Sequence, residues 1–449
     1  MIRMKQLFLI VYLFGSGVLS ACFKPTDHVM ESPKQLSVDE ALSIAFRNRP
    51  SQRAFDYNIK AGKEHEWSTL SGYFPQLEIQ SRVGTVNKSL LLPRKQVFIE
   101  GKQLLLSFDG PIDRFRIARQ ETDITYSRKL LDRDAIRLET ESTILGLWDV
   151  QEKYDFINSL GVSSQVVFDR DTHQNELGLL DTNIWLTRVA QYAAATAQVS
   201  QYTDELNTAL ANIERSLGVP ITHDFNVNQS TVEHFIANSI LAAYEHDADY
   251  FYQLALNNRK ELLELDSQIL REQYQSNSYA KAYLPEVYLF GQVQYYEFKP
   301  LKRAIATAAR AGSTDSKWVD WRVGLEFDWK FDGFGNVFNT ESSYATMLAY
   351  QVTRLDTTQQ IKKEVHTTYD TLQRSLKDLY AQEAQFKQAD NELMLRKKQF
   401  EIGEISDVEI AQAETTWKQA RYNLLTAKKQ SAILYRELLS KSGYPEGLS

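Results

Sequence analysis

The sequence predicts a mainly α-helical chain with a smaller β part, built as two structural repeats of long antiparallel coiled-coil helices, each with a β-hairpin. Three observations carry that prediction. From Val337 to Ile402 there is neither Gly nor Pro, a run that makes a helix about 100 Å long. The chain turns at Glu401-Ile402-Gly403, and a second such run returns from Glu404 to Ser442. Adding 225 carries Gly178 onto Gly403 and Gly218 onto Gly443, so the element occurs twice. Trp318–Phe331, in contrast, alternates apolar and polar residues at the period of a strand.

The returning run carries a heptad. Ile410, Trp417, Leu424, Ser431 and Leu438 recur every seven residues, and Ala413, Ala420, Ala427 and Leu434 follow the first four by three. A seven-residue apolar repeat puts a narrow seam on a helix and calls for coiled-coil packing, and alanines in the seam let the partner backbone approach. The first copy repeats the phase with Trp185, Tyr192, Val199, Leu206 and Ile213.

At 449 residues, 43% hydrophobic, with a net charge of −7, the chain has ample material for a core. A mild acidic excess without a long basic block gives no support to nucleic-acid binding. Met1–Lys5 is basic, Gln6–Val18 is almost wholly apolar, and Leu19-Ser20-Ala21-Cys22 follows. That order describes a secretory signal whose apolar core is short for a span of about 20 residues. Leu-Ser-Ala-Cys also resembles the bacterial lipobox, whose cysteine is lipidated and becomes the mature N-terminus. A plain signal with an incidental cysteine is the alternative. Cys22 is the only cysteine, so a disulfide within one chain is impossible. Phe23 after it resembles sorting to the outer membrane.

Thr26–Gln35 reads as a tether. Ser37-Val38-Asp39-Glu40 is a capping box opening a helix that continues to about Tyr73 and stops at Pro75. From Gln76 to Thr85 the period becomes two, and a second strand covers Val97–Phe108, with faces too irregular to assign. Phe108-Asp109-Gly110-Pro111 starts the first long helix. Adding 210 carries Ala45, Asn48, Arg49 and Pro75 onto Ala255, Asn258, Arg259 and Pro285, so the opening of the repeat recurs too. The expected layout is a signal at 1–21, a tether at 22–35 and a first repeat at 36–218 with strands near 76–108. A linker at 219–236, a second repeat at 237–443 with strands near 286–331, and a tail at 444–449 complete it.

On one side of the clearest strand fall Trp321, Val323, Leu325, Phe327, Trp329 and Phe331; on the other fall Arg322, Gly324, Glu326, Asp328 and Lys330. So aromatic a face beside so charged a one suits a barrel strand with lipid outside and water inside. Four strands cannot close a membrane barrel, whose minimum is about eight, and an open edge cannot face lipid. The chain must therefore associate with copies of itself if these strands span a membrane, with its polar helices in water.

With these pieces in place, the chain resembles the TolC-like outer membrane efflux family, in its lipoprotein branch. The resemblance rests on Phe400-Glu401-Ile402-Gly403, Ser406, Ala413, Trp417, Ala420 and Leu424, on the double repeat and on the lipobox. It implies a homotrimer with a 12-stranded β-barrel in the outer membrane, an α-barrel in the periplasm, and palmitate among the acyl groups on Cys22. It implies no enzyme and no cofactor, but an exit duct of a tripartite efflux or type I secretion system, working with a periplasmic adaptor and an inner-membrane pump. A structural lipoprotein that spans the periplasm without conducting is the alternative, which has no need of the alternating strand.

The same resemblance makes Leu177, Gly178, Leu180 and Asp181, with Ile402, Gly403, Ile405 and Ser406, the hairpin tips where an adaptor docks. Leu180 and Ile405 beside tight turns suit either a partner's groove or the cap of this chain's own hairpin. The family often has an Asp before the alanine aligned with Ala413; here Gln412 stands there, and Glu409 keeps the other acidic position of the channel entrance. Threefold symmetry would gather Glu409 into a ring that attracts cations, although a solvated helix face also explains a lone Glu.

Other constellations read as structure. Glu245-His246-Asp247-Ala248-Asp249 looks like a metal cluster, but Asp247 aligns with Ser37 and reads as a second helix N-cap. His65-Glu66 lacks the second His of a zinc-protease motif, and no metal site is expected. Lys88, Arg94, Lys95, Lys299, Lys302, Arg303 and Arg310 crowd the two barrel loops, where they meet lipopolysaccharide phosphates or only water.

Overall fold

The structure, a computed structural model, describes residues 35–83, 95–108, 110–221, 225–297, 317–330, 332–405 and 407–443. The first repeat runs β1 (Gln35–Leu36), α1 (Val38–Asn48), α2 (Pro50–Thr69), β2 (Gln76–Val83), β3 (Lys95–Leu106), α3 (Pro111–Glu176) and α4 (Thr182–Leu217). Between the repeats lie β4 (Asn226–Val227) and α5 (Gln229–Ala242). The second repeat runs α6 (Ala248–Asn258), α7 (Lys260–Lys281), β5 (Glu286–Glu297), β6 (Lys317–Asp328), α8 (Gly335–Glu401) and α9 (Asp407–Lys441). Cys22, Ser406 and the loops 84–94 and 298–316 lie outside the described residues.

The long helices α3 and α8 hold 66 and 67 residues. α2 and α4 lie along α3, α9 lies along α8, and α7 packs against both long helices. The predicted seams form. Ala413, Ala427, Leu434 and Leu438 of α9 are buried, and Trp417 donates its indole N–H to Asp390 Oδ1 of α8 at 2.9 Å. In the first copy, Phe168 of α3 stacks between Trp185 and Tyr192 of α4, with centroids 5.3 and 4.4 Å away.

The opening helix is not continuous, as the sequence suggested, but breaks at Arg49. Pro50 supplies part of the reason, because it lacks an N–H and holds the preceding residue out of the helical region. Arg49 has φ −59° and ψ 123°. In the second repeat Lys260 replaces the proline, yet Arg259 takes φ −64° and ψ 121°. The common cause is therefore tertiary. Ser37 forms its capping box with Glu40, and Asp247 caps α6 by accepting from Tyr250 N at 2.9 Å, as its alignment predicted.

Two buried clusters sit at the waist, around the middle of the long helices. One joins Ala41 and Ala45 of α1, Leu145 and Leu147 of α3, Ile213 of α4 and Val232 of α5. The other joins Phe251 and Ala255 of α6, Ile361 and Leu372 of α8 and Leu438 of α9. The connection between the repeats belongs to this core. β4 pairs in parallel with β1, and α5 buries Val232 and Ile236.

The four long strands form one antiparallel sheet in the order β2-β3-β5-β6. The apolar face found in β6 continues across it: Ile79, Ile99, Val293 and Trp321 stand opposite one another in a row. The faces of β3 were illegible because of a bulge between Leu104 and Leu106, which places Leu105 and Leu106 both at the surface. β6 ends at Asp328, opposite the first residue of β5. Trp329, expected in the strand, lies beyond it and donates its indole N–H to Tyr283 O at 2.8 Å. Phe331 lies outside the described residues.

Candidate functional site

The far ends of the helical hairpins close with the same hydrogen bonds. At the first tip, Leu179 N donates to Gln174 O at 2.9 Å and Gly178 N to Asn175 O at 3.0 Å. At the second, Glu404 N donates to Gln399 O and Gly403 N to Phe400 O, both at 2.9 Å. This crossed pair is the Schellman ending, which needs a left-handed residue after the helix. Gly178 at φ 66° and Gly403 at φ 78° supply it, with open space where a Cβ would stand. Asp181 then starts α4, accepting from Asn183 N at 2.8 Å.

The apolar tip residues fall into two groups. Leu180 and Ile405, which suited either a partner's groove or the cap of their own hairpin, are half-buried. The solvent-facing residues are Leu177 (60%), Leu179 (74%) and Ile402 (69%). In a Schellman ending the residues flanking the glycine lie outside the helix wrap, which turns Leu177 and Leu179 outward. Leu179 was missed. Its signal was legible in the Leu-Gly-Leu triplet, where alternate residues across the turn glycine share the apex.

Glu409 and Gln412 both lie exposed in the opening turns of α9, three residues apart and so on one face. Ala413, one residue beyond Gln412, is buried. In the first repeat Ile184 occupies the position of Glu409 and is also exposed.

The sheet offers a second functional surface. Its apolar face is open to the surroundings, with Trp321 71% and Phe327 70% exposed. The opposite face is charged: Lys102 Nζ of β3 lies 2.9 Å from Glu326 of β6 and 3.3 Å from Glu100. β2 and β6 are the two edges, and neither has a partner strand on its outer side among the described residues. No described helix is long and apolar enough to cross a membrane.

Between tips and sheet, the waist is rich in ion pairs. Asp149 is buried between Lys153 at 2.9 Å and Lys429 at 2.5 Å. Asp134 of α3 is raised to a pKa of about 6, because burial outweighs the nearby charges of Lys260, Arg137 and Arg133. Among the described residues no group of three metal-ligating side chains forms, and His246 is stacked on Tyr250 with centroids 3.8 Å apart.

A long helical body is thus joined to an amphipathic sheet with two open edges. Residues 251–443 match the family model for outer membrane efflux proteins. The fold is similar to that of CusC, which forms a transmembrane channel, with a TM-score of 0.68 and 14% identity over 91% of this chain and 92% of that one. It is similar to the Campylobacter jejuni outer membrane channel CmeC, with a TM-score of 0.68 and 12% identity over 90% and 85%. It also resembles the open state of the Neisseria gonorrhoeae outer membrane channel MtrE, with a TM-score of 0.65 and 12% identity over 91% and 89%. No curated protein matches the sequence significantly. The resemblance to TolC-like outer membrane efflux channels is thus borne out, by sequence over most of the second repeat and by fold over nine-tenths of the chain.

Proposed function

We propose that three copies of this chain assemble into a duct across the outer membrane and the periplasm, serving as the exit of a tripartite efflux or type I secretion system. One observation carries this reading: the sheet is apolar on one face, charged on the other and open at both edges. In lipid both edges need partners, because each unpaired peptide group costs several kcal/mol. Copies of the chain supply them, β2 of one meeting β6 of the next, and three copies give twelve strands. The helices support the same closure. α8, which follows β6, exposes Phe338, Val352 and Leu355, and α2, which leads to β2, exposes Tyr57 and Trp67.

The component is passive. Its helices enclose water, its tips receive a periplasmic adaptor at Leu177, Leu179 and Ile402, and an inner-membrane pump supplies the energy. Glu409 and Gln412 lie one turn inside the tips and form the entrance, where three copies of Glu409 favour cations. A lipidated Cys22 anchors the tether before β1 to the outer membrane.

Planar-bilayer recording of detergent-purified protein tests the reading. Cation-selective conductance steps, with selectivity reduced in Glu409→Ala and increased in Gln412→Asp, are expected. Silence from trimers whose tips have also been opened by mutation would exclude a duct and leave a non-conducting spacer.

A further inference from the structure

Beside α5 the two helical hairpins meet, and α3 touches α9 through Asp149–Lys429, Glu152–Arg421 at 3.5 Å, and the edge-on rings of Phe156 and Tyr422 with centroids 4.9 Å apart. Beside these contacts lies a cavity of about 540 Å³ whose walls come from both repeats. Trp148 of α3, Ile236 and Ile240 of α5, and Leu425 of α9 give it an apolar lining. Glu233 of α5, Glu383 of α8 and Lys428 of α9 supply its charges.

Those charges differ from the rest of the waist. Asp149 and Glu152 are held by cations. Among the described residues, Glu233, Glu383 and Lys428 make neither a hydrogen bond nor an ion pair. Two carboxylates against one ammonium leave a negative excess. Nearby Glu152 has a raised pKa, chiefly through burial, which Arg421 opposes and to which Glu233 and Asp155 add.

We propose that this cavity binds an amphipathic organic cation. Its volume lies in the range of small-molecule sites. An apolar, preferably aromatic body rests on Ile240, Leu241 and Leu425 over the buried Trp148 and Ile236, and the positive group turns toward Glu233 and Glu383 and away from Lys428. Because the walls belong to α3, α5, α8 and α9, a bound molecule bridges the two hairpins. The site is independent of conduction, since its occupancy is read on solubilised protein.

The test is a fluorescence anisotropy titration of the full-length protein in nonionic detergent with ethidium, an aromatic cation. 8-Anilinonaphthalene-1-sulfonate, an aromatic anion of similar size, serves as the contrast. One saturable ethidium site per chain is expected, with no competition from the anion. Glu233→Gln with Glu383→Gln weakens it roughly fivefold, as two partly exposed charges should, while Ala237→Trp fills the cavity and abolishes binding. Absence of saturable binding, equal binding of both dyes, or binding unmoved by the glutamine pair would overturn the proposal. The glutamine pair changes only surface charge, so it decides the matter even if Ala237→Trp fails to fold.

Discussion

Arg259 makes in the second repeat the contacts that Arg49 makes in the first. Arg49 donates from Nε to Ser216 O at 2.8 Å and pairs with Glu139 at 2.6 Å. Arg259 donates to Lys441 O at 3.2 Å and pairs with Glu364 at 3.2 Å. Adding 225 carries Ser216 onto Lys441 and Glu139 onto Glu364. Each guanidinium therefore joins the break in one helix to the last carbonyls of α4 or α9, and to the long helix between them. Where the proline is absent, the arginine and the surrounding packing hold the corner.

Arg259→Ala should accordingly cost more than Arg49→Ala. Both substitutions free a helix-terminal carbonyl and take one of its cations from a half-buried carboxylate, a loss of about 1–3 kcal/mol. Pro50 keeps the first corner bent without its arginine, and Lys260 cannot do so for the second. Thermal unfolding of the purified variants should rank wild type above Arg49→Ala, and Arg49→Ala above Arg259→Ala. The reverse order would show that the proline makes no difference.

The left-handed glycines divide by their surroundings. Alanine at Gly178 or Gly403 costs only the backbone strain, about 1–2 kcal/mol, since nothing approaches the new Cβ. At Gly443, φ 73°, a Cβ would stand 2.7 Å from Asn258 C and 2.8 Å from Arg259 N, at the corner just described. Backbone there cannot step aside as a side chain would. Gly443→Ala should lower the melting temperature at least twice as far as Gly178→Ala, and equal shifts would contradict the packing.

Asp134 makes part of the waist pH-dependent. Its folded pKa of about 6 lies above the ordinary 3.8, so the folded state prefers the protonated acid. Below about pH 4 the group is neutral folded or unfolded and costs nothing. As pH rises through 6 it ionises in a half-buried place, and its contribution turns unfavourable. Allowing for solvent screening, Asp134→Asn should stabilise the protein by about 1–2 kcal/mol at pH 8. Melting curves should show that gain vanishing toward pH 4. A gain equally large at pH 4 would mean that charge is not its cause.

The tips separate docking from stability. Leu179→Ser and Ile402→Ser, at exposed positions, should leave the melting temperature unchanged while reducing export of a fluorescent substrate by cells. Leu180→Ser and Ile405→Ser should lower the melting temperature through lost burial, about 1–2 kcal/mol each. If the exposed pair leaves export intact, the apolar apex is not the docking surface.

Much of this architecture was legible in residues. Gly178, Gly403, the heptad from Ile410 and the alternation around Trp321 each record a local backbone rule, and local rules survive in sequence. What stayed hidden was set by contacts distant along the chain. The break at Arg259 depends on a carbonyl 182 residues away. The faces of β3 depend on a bulge against β5. The link between the repeats read as a linker because α5 is short, and its burial comes from α1, α3 and α9 rather than from its own length.

Closure of the sheet between copies is the central claim, and disulfide trapping across the two edges tests it most directly. Ser81→Cys on β2 would be combined in turn with Val319→Cys, Trp321→Cys, Val323→Cys and Leu325→Cys on β6, and the membranes oxidised and run without reductant. At one or two β6 positions the account predicts reducible dimers and trimers and nothing larger, with no species from either cysteine alone. Monomers at every position, or ladders running past three copies, would contradict it.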